Sequence, residues 1–270
     1  MVDRPRCSPI AGRTYDRRMP GPCDIVSLMP ERNIFAFNND TASQGGYVYT
    51  TVERWSSRVA TARQTDEIVS LLERNFPRSV RIADLGCGDG TFTIEIARRF
   101  RPRHIRGIDP AALAIEAAQR RIPHDLAPSV AFEVGSIYDV TPKQGETVAV
   151  IRGVLHHLDN VRAAIAHLAA QFPAVIALEP NGYNPMLKIM EKVSTYHRVH
   201  DEKSYWPPDL NRWFEASGFS VVSQRYFGLV PYFCPTLVAK VLKVAEPLVE
   251  AVPLVKHVSC GTNFIFYKKE

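Results

Sequence analysis

The stretch DLGCGDG at residues 84–90 decides the fold of this chain. The run RIAD before it is short and apolar, which predicts a buried strand. The run TFTIEIARRF after it has Phe92, Ile96 and Phe100 at helical spacing. In an open parallel sheet, the turn from a strand into the following helix lies at the edge where ligands bind. The stretch therefore predicts an α/β fold with a ligand site at this turn.

The chemistry of the turn favours a cation over a phosphate. Gly86, Gly88 and Gly90 follow the spacing GxGxG, whereas the dinucleotide fingerprint is GxGxxG. Glycines allow a sharp bend and a close approach of the backbone to a ligand. A carboxylate at Asp84 would repel a pyrophosphate but would attract an ammonium group. Asp109 ends the next predicted strand, where a carboxylate can accept hydrogen bonds from both ribose hydroxyls. S-adenosylmethionine is a ligand that has an ammonium, a ribose and no phosphate.

Five motifs in order resemble those of the class I S-adenosylmethionine-dependent methyltransferases. They are DLGCGDG, GIDP, EVGSIYD, VAVIRGVLHHLDN and ALEPNGYNP, and the resemblance covers roughly residues 45–227 and the terminal strand. It implies an α/β fold with a doubly wound, seven-stranded, mostly parallel Rossmann-like sheet. In this family the last strand inserts antiparallel between its two predecessors. The resemblance also implies S-adenosyl-L-methionine as the cofactor.

The same resemblance implies which residues hold the cofactor. Asp84, Gly86 and Gly88 would hold the methionine part, and Asp109 would hold the ribose. Ser136 and Ile137, after the third strand, would flank the adenine. Many relatives have Asp where this chain has Ser136, and Asp139 is a nearby substitute for the hydrogen bond to the adenine amino group. Cys87 is expected to fill space between two glycines and not to act as a nucleophile. The expected cofactor-binding residues are Asp84, Gly86, Cys87, Gly88, Asp109, Pro110, Ser136, Ile137, Arg152 and Tyr47.

Strands and helices alternate beyond residue 45, which favours a parallel, doubly wound sheet. Residues 51–76 read as one or two helices, with Val59, Ile68, Leu71 and Leu72 facing inward. Five strands are predicted near residues 80–84, 104–108, 130–134, 147–151 and 174–179, with helices near 91–101, 111–121 and 160–171. A helix near 208–217 and strands at 219–227 and 262–269 complete the pattern.

The chain divides into three predicted parts, which are residues 1–30, 31–78 and 79–270. Residues 1–30 are rich in Arg and Pro without periodicity, which favours disorder, and Met19 and Met29 are alternative start positions. Residues 31–78 are predicted as a helical cap, and residues 79–270 as the methyltransferase domain. The N-terminus lacks the apolar core of a secretory signal. No apolar stretch of about 20 residues predicts a spanning helix.

Two segments are additional to the family's plan, at residues 181–206 and 228–260. The first is dense in Tyr, His, Asn and Trp, which suits a polar and aromatic substrate lid. The second carries an apolar stripe at helical spacing, formed by Leu237, Val238, Val241, Leu242, Ala245, Leu248, Val249 and Val252. Pro247 should kink or divide that helix. The stripe either packs on the core of the domain or forms a substrate wall, a dimer face or a membrane-surface contact, with residues 234–252 as the contact segment.

Composition excludes several classes of partner. The net charge is +5, but 33 basic residues are scattered among 28 acidic ones, so no nucleic-acid surface is predicted. The five cysteines have no paired CxxC spacing, which favours free thiols in a reducing cytoplasm and no metal site. We expect a cytoplasmic monomer or homodimer that acts on a small molecule.

Catalysis of methyl transfer requires mainly that nucleophile, methyl carbon and sulfur lie in line, and alignment can contribute about 7 to 11 kcal/mol at best. A base is needed when the nucleophile is an alcohol, a phenol or an acidic carbon. His156 and His157, after the fourth strand, are the candidate bases, although a structural role in the loop is an equal alternative. The expected substrate contacts are Glu179, Tyr183, His197 and His200; Glu179 caps the loop in the alternative interpretation. Tyr47 or Tyr49 would close over the methionine carboxylate or, in the alternative interpretation, pack against the first helix as a hydrophobic staple.

The sequence therefore predicts methyl transfer to a small-molecule acceptor, at an oxygen of a natural product or other secondary metabolite. The alternative acceptors are a carbon or nitrogen of a natural product, sugar or lipid-linked precursor. A binding module without transfer and a cofactor-bound catalyst of a non-methylating reaction also stay open.

Overall fold

A computed structural model describes residues 54–143, 145–194, 203–232 and 234–269, together with residues 34, 38, 39, 41–43 and 46. Its described part forms one seven-stranded sheet in the order β3-β2-β1-β4-β5-β7-β6. The strands are β1 (Arg81–Leu85), β2 (His104–Asp109), β3 (Val130–Val134), β4 (Val148–Arg152), β5 (Ala174–Pro180), β6 (Phe219–Phe227) and β7 (Thr262–Lys269).

The sheet is parallel from β3 to β5 and antiparallel at β7, which pairs with both β5 and β6. This confirms the predicted mostly parallel sheet and the inserted last strand. The central strands β1, β4 and β5 are buried along nearly their whole length because helices cover both faces. Their carboxyl ends therefore meet at one edge, where polar side chains follow each strand.

Helices cross between the strands as the periodicity predicts. They are α1 (Trp55–Asn75), α2 (Thr91–Phe100), α3 (Ala112–Arg121), α4 (Val161–Gln171), α5 (Pro185–Val193), α6 (Pro207–Glu215), α7 (Thr236–Ala251) and α8 (Pro253–Ser259). Helix α1 buries Ile68, Leu71 and Leu72, as predicted, and packs against α2. Gly90 precedes α2 in the left-handed conformation, with φ +75°.

The second additional segment differs from prediction in two respects. Of the predicted kink or division at Pro247, the division is wrong: α7 runs through Pro247, and the break comes at Val252, whose extended backbone precedes α8. Within α7 the wholly buried side chains are Ala239 and Glu246, while most of the predicted apolar stripe is exposed to solvent. The interpretation that this stripe packs on the core of the domain is therefore wrong for its most exposed members, which are Leu237, Val238, Val241, Leu248 and Val252.

Candidate functional site

The glycine turn is required by packing as well as by backbone conformation. Gly86 has φ +74° and Gly88 has φ +55°, in the left-handed region that favours glycine. A Cβ added to Gly86 would lie 2.2 Å from Cγ2 of Val154, in the loop after β4. The amides of Gly86 and Cys87 both donate to the carbonyl of Ile108 in β2. The turn is thus fixed from both neighbouring strands.

Asp84 is a buried carboxylate with an incomplete set of partners. It is the penultimate residue of β1 and is only 4% exposed, and its Oδ2 accepts a hydrogen bond from Thr93 Oγ1. Among the described residues no other donor contacts it, which leaves Oδ1 unpaired. Burial raises the pKa of Asp84 to about 6, against the opposing effects of the Thr93 hydrogen bond and the positive charge of Arg152. A cation at Oδ1 would stabilise the ionised form.

Asp109 fixes the far side of the same turn. Its Oδ2 accepts from the amide of Gly88 at 2.9 Å, and its Oδ1 accepts from the amide of Ala111 at 2.9 Å. The carboxylate is buried at the end of β2. Both oxygens are acceptors, which is the chemistry that ribose hydroxyls require.

Arg152, predicted to bind cofactor, is directed towards helix α1. Its guanidinium donates to Oε1 of Gln64, to Oγ1 of Thr65 and to the carbonyl of Thr61. It also lies 3.6 Å from the ring centroid of Phe92. Burial lowers the pKa of Arg152 from its ordinary value. These contacts indicate that Arg152 joins α1 to the sheet beside Asp84.

The predicted adenine contacts lie after β3. Ser136 and Asp139 form a turn in which Asp139 Oδ1 accepts from the amide of Ser136 at 3.1 Å. Both line a cavity of about 250 Å³, together with Ile108. Ile137 is buried in the core cluster that contains Leu85 and Ile108.

Two further predicted cofactor positions lie beside these groups. Cys87 is buried, and burial raises the pKa of its thiol well above the ordinary value, which agrees with a space-filling side chain. Pro110 follows Asp109 and is partly exposed at the end of β2.

Glu179, at the end of β5, has a complete set of partners. Its Oε1 accepts from the amides of Val154 and Leu155 at 3.0 and 2.9 Å. Its Oε2 accepts from the amide of His156 and lies 2.7 Å from Nδ1 of the same residue. Glu179 is 2% exposed. Of its two predicted roles, these contacts support the loop cap; the substrate contact stays a prediction.

The two candidate bases differ in their surroundings. His156 is buried and bonded to Glu179, whereas His157 is partly exposed. Their ring centroids lie 4.0 Å apart. A carboxylate at Nδ1 fixes the ring orientation and holds the proton of the neutral imidazole on Nδ1, so that Nε2 is the basic nitrogen.

The ends of the first predicted lid are joined at their base. Glu191 of α5 accepts from the amide and hydroxyl of Ser204, and Lys188 donates to the carbonyl of that residue. A Cβ on Gly182 would lie 2.1 Å from the carbonyl oxygen of Tyr205. Residues 181–184 and 203–206 are therefore held together beside the end of β5.

An aromatic cluster lies at this base. The ring of Tyr183 contacts Trp206 at 4.3 Å, Tyr226 at 5.8 Å and His257 at 5.9 Å between centroids. Burial raises the pKa of Tyr226, and nearby Tyr183 adds to the effect. We call Tyr183, Trp206, Tyr226 and His257 the aromatic cluster. Asn181 fixes it by donating to the carbonyls of His257 and Cys260.

Some predicted site residues fall outside the described part of the chain, namely Tyr47, Tyr49, His197 and His200. Conversely, sequence reasoning missed Thr93, Tyr226 and His257. Thr93 lies in the first turn of α2, directly after the glycine turn, so helical geometry could have indicated its proximity to Asp84. Tyr226 and His257 come together only through the antiparallel end of the sheet, for which no local motif exists.

Comparison with known proteins supports the family. Residues 82–172 match the family described as "Methyltransferase domain". Magnesium protoporphyrin IX methyltransferase from Synechocystis PCC 6803, crystallised with SAH, superposes with a TM-score of 0.60 and 16% identity, covering 81% of this chain and 89% of that one. Residues 82–172 are therefore similar to a methyltransferase domain, and the described fold is similar to that of the Synechocystis methyltransferase.

Curated relatives of this methyltransferase domain match over short segments. Magnesium-protoporphyrin O-methyltransferase of Rhodobacter capsulatus is 31% identical over 77 residues, which are 28% of this chain and 34% of the relative. Trans-aconitate 2-methyltransferase of Rhodopseudomonas palustris (strain BisB18) is 29% identical over 121 residues, which are 44% and 42% of the two chains. The matches therefore span less than half the length of these relatives.

The residues at the turn fit the family's cofactor. The Oδ1 of Asp84, which has no hydrogen-bond donor among the described residues, suits an ammonium, and the buried carboxylate of Asp109 has the acceptor chemistry for ribose hydroxyls. The turn between them presents glycines, where the backbone can approach a ligand. Within the described residues, no three His, Cys, Asp or Glu side chains are grouped as a metal ion would require.

Proposed function

We propose that this chain transfers a methyl group from S-adenosyl-L-methionine to a hydroxyl oxygen of a small molecule, such as a natural product or other secondary metabolite. The observation that carries the proposal is the buried pair of Glu179 and His156 at the loop after β4. A hydroxyl nucleophile has to lose a proton, and this pair offers an oriented base. The relative named Magnesium-protoporphyrin O-methyltransferase agrees with transfer to oxygen.

In this proposal the turn after β1 binds the cofactor. Asp84 Oδ1 accepts from the ammonium, and the backbone at Gly86 and Gly88 approaches the methionine part. Asp109 binds the ribose, while Ser136 and Ile137 flank the adenine. When bound, the cofactor supplies an electrophilic methyl carbon on a sulfonium sulfur. Arg152 acts as a positioning residue by holding α1 against the turn.

His156 is the proposed base that takes the proton of the acceptor hydroxyl. Its Nδ1–H donates to Glu179, and its Nε2 accepts the proton of the acceptor hydroxyl as the oxygen–carbon bond forms and the carbon–sulfur bond breaks. Glu179 stabilises the resulting imidazolium, as the carboxylate of a catalytic triad does. Glu179, which lies against Nδ1, would offset the positive charge that His156 gains with the proton.

The aromatic cluster is our proposed contact for the acceptor. Its rings come from the loop after β5, from the end of β6 and from α8, so they surround a single region at the carboxyl edge of the sheet. Aromatic rings bind flat or apolar molecules with little loss of side-chain entropy. Tyr183 would be the central contact, with His197 and His200 as further candidates from the lid.

The test uses His156→Asn, with His157→Asn as a matched control. Asparagine can keep a donor near the position of Nδ1, so Glu179 retains its partner, but it has no basic nitrogen. The acceptor panel contains hydroxyl, carboxylate, amine and carbon nucleophiles with labelled cofactor. For a hydroxyl acceptor we expect His156→Asn to lower kcat by about 10²-fold or more and His157→Asn to have little effect.

Two readouts separate the proposal from its alternatives. Cofactor affinity of His156→Asn should equal that of the wild type, because the base does not contact the methionine or the ribose. Product mass should rise by one methylene; an unchanged mass would indicate a non-methylating reaction. Full activity of His156→Asn on a hydroxyl acceptor would contradict the role of His156 as the base. Turnover of amines or carbon acids alone would contradict methyl transfer to oxygen.

A further inference from the structure

Helices α5, α7 and α8 present a continuous apolar surface to solvent. Thirteen of the seventeen exposed large hydrophobic side chains of the described residues lie on these helices or at Val252 between two of them. Helix α8 packs against both α5 and α7, so the three form one surface, which we call the apolar face. Val244 is 84% exposed and Leu248 is 72% exposed. Monomeric soluble proteins rarely expose apolar patches of this extent unless a partner covers them.

The polar and apolar sides of helix α7 are the reverse of those of an ordinary surface helix. Its acidic side chains point towards the protein, where Glu246 accepts from the amide of Leu229 and Glu250 accepts from the amide of Gly228. Glu250 also pairs with Arg63 of α1. Its leucines and valines point outward instead. Polar contacts thus fix α7 to the domain, and its apolar side faces away from the domain, where a partner can bind it.

Charge on the three helices is distributed to suit an anionic partner. They carry five lysines, Lys188, Lys192, Lys240, Lys243 and Lys256, and three glutamates, Glu191, Glu246 and Glu250. All three glutamates bond to protein groups on the inner side. Lys192 and Lys240 are exposed beside the apolar residues. The outward surface therefore combines apolar side chains with positive charge, as interfacial helices on anionic membranes do.

We propose that the apolar face binds to the surface of an anionic lipid bilayer. No described helix is long and apolar enough to cross a membrane, so the helices would lie in the interface plane. A symmetric dimer through this face is disfavoured because it would bring lysines of two copies together without outward carboxylates to pair them. Trp206, which is half exposed at the edge of the aromatic cluster, suits the headgroup level of a membrane.

This placement has a consequence for the acceptor. Tyr183 follows β5 just before α5, and His257 belongs to α8, so the aromatic cluster adjoins the apolar face. A bilayer on that face would present membrane-dissolved molecules next to the proposed acceptor contacts. Membrane binding itself does not depend on the acceptor or on methyl transfer, so the two proposals fail separately.

The test is co-sedimentation of the full chain with vesicles. Vesicles of equal parts phosphatidylglycerol and phosphatidylcholine should bind the wild type, and phosphatidylcholine alone should bind it more weakly. We expect the double substitution Val244→Glu and Leu248→Glu to weaken binding by about tenfold or more, since it places charge in the apolar layer. Val222→Glu is the matched control, because Val222 is 52% exposed and belongs to β6 and not to any of the three helices.

Charge is tested separately with Lys192→Gln and Lys240→Gln. Each should weaken binding to the phosphatidylglycerol vesicles by about fivefold and leave binding to phosphatidylcholine alone unchanged. Circular dichroism confirms that each variant is folded.

Three results would overturn the proposal. Equal binding by the Val244→Glu, Leu248→Glu variant and the Val222→Glu control would remove the apolar face as the contact. Absence of vesicle binding, with a dimer that the same double substitution dissociates, would assign the face to a second copy. Absence of vesicle binding by a monomer, with Met186 protected from peroxide oxidation, would indicate that another segment of this chain covers the face.

Discussion

Asp84 and Glu179 are both buried carboxylates at the carboxyl edge of the sheet, yet their surroundings differ. Glu179 accepts from three backbone amides and lies against an imidazole nitrogen. Asp84 accepts from one hydroxyl, and burial raises its pKa to about 6. Glu179 thus has its partners within the folded chain, whereas Asp84 has few among the described residues, which supports the proposal that it binds the cofactor. A buried charge without enough partners is expensive, and such groups concentrate at functional sites.

The first prediction concerns the completed carboxylate. Glu179→Gln should lower the free energy of unfolding by about 3 to 5 kcal/mol, because a neutral amide cannot satisfy three amides and an imidazole as a carboxylate does. Urea denaturation at neutral pH measures this loss. A change of less than about 1 kcal/mol would contradict the assignment of Glu179 as the anchor of the loop.

The second prediction is that ionisation of Asp84, unlike that of Glu179, lowers the stability of the folded chain. Its folded pKa of about 6 lies above the ordinary 3.8, so the folded state binds the proton more tightly than the unfolded chain. Its contribution to stability is complete below the ordinary pKa and is lost as pH rises through about 6. The loss is about 3 kcal/mol at most.

The measurement for this prediction is the stability difference between Asp84→Asn and the wild type without cofactor. From pH 4 to pH 7, that difference should move in favour of the asparagine variant, by about 3 kcal/mol at most. A difference that is constant with pH would show that Asp84 is ionised throughout and is paired as well as Glu179 is.

The third prediction concerns cofactor affinity. Asp84→Asn should weaken binding of S-adenosylmethionine by about 2 to 3 kcal/mol, which is roughly 30- to 150-fold, because the ammonium loses a charged acceptor. Glu179→Asp, which keeps a carboxylate at the other strand end, is the comparison variant and should bind the cofactor within about threefold of the wild type. Equal losses of cofactor affinity in both variants would contradict the claim that Asp84, and not Glu179, binds the ammonium.

The fourth prediction concerns the contact that joins the two regions. Val154 donates its amide to Glu179 and places its side chain against Gly86. Gly86→Ala should cost about 2 kcal/mol of stability, from the left-handed backbone and the clash with Val154. Adding Val154→Ala should recover about 1 kcal/mol relative to the sum of the single changes. Strict additivity would mean that the loop and the turn do not support each other.

The sequence predicted what short-range patterns encode. Alternating periodicity placed all seven strands to within one or two residues, and the GxGxG spacing predicted the turn that the structure has between β1 and α2. The sequence did not decide whether Glu179 caps the loop or contacts the substrate. Its partners lie in a loop 23 to 25 residues away, and no spacing rule connects that loop to Glu179.

The apolar stripe of α7 shows a different limit. Helical periodicity identified a face but not its direction, since an apolar stripe looks the same whether it meets the core or solvent. The direction follows from Glu246 and Glu250, whose backbone partners Gly228 and Leu229 are fixed only in the folded chain. The aromatic cluster was likewise invisible, because Tyr226 and His257 meet through the order of the strands.

The most direct test of the account is proton release on cofactor binding at pH 6, measured by calorimetry in buffers of different ionisation enthalpy. An ammonium at Asp84 lowers the pKa of this carboxyl from about 6, so the wild type should release a substantial fraction of a proton, and Asp84→Asn should release none. Binding of the wild type without any proton release at pH 6 would contradict the claim that this carboxylate receives the ammonium.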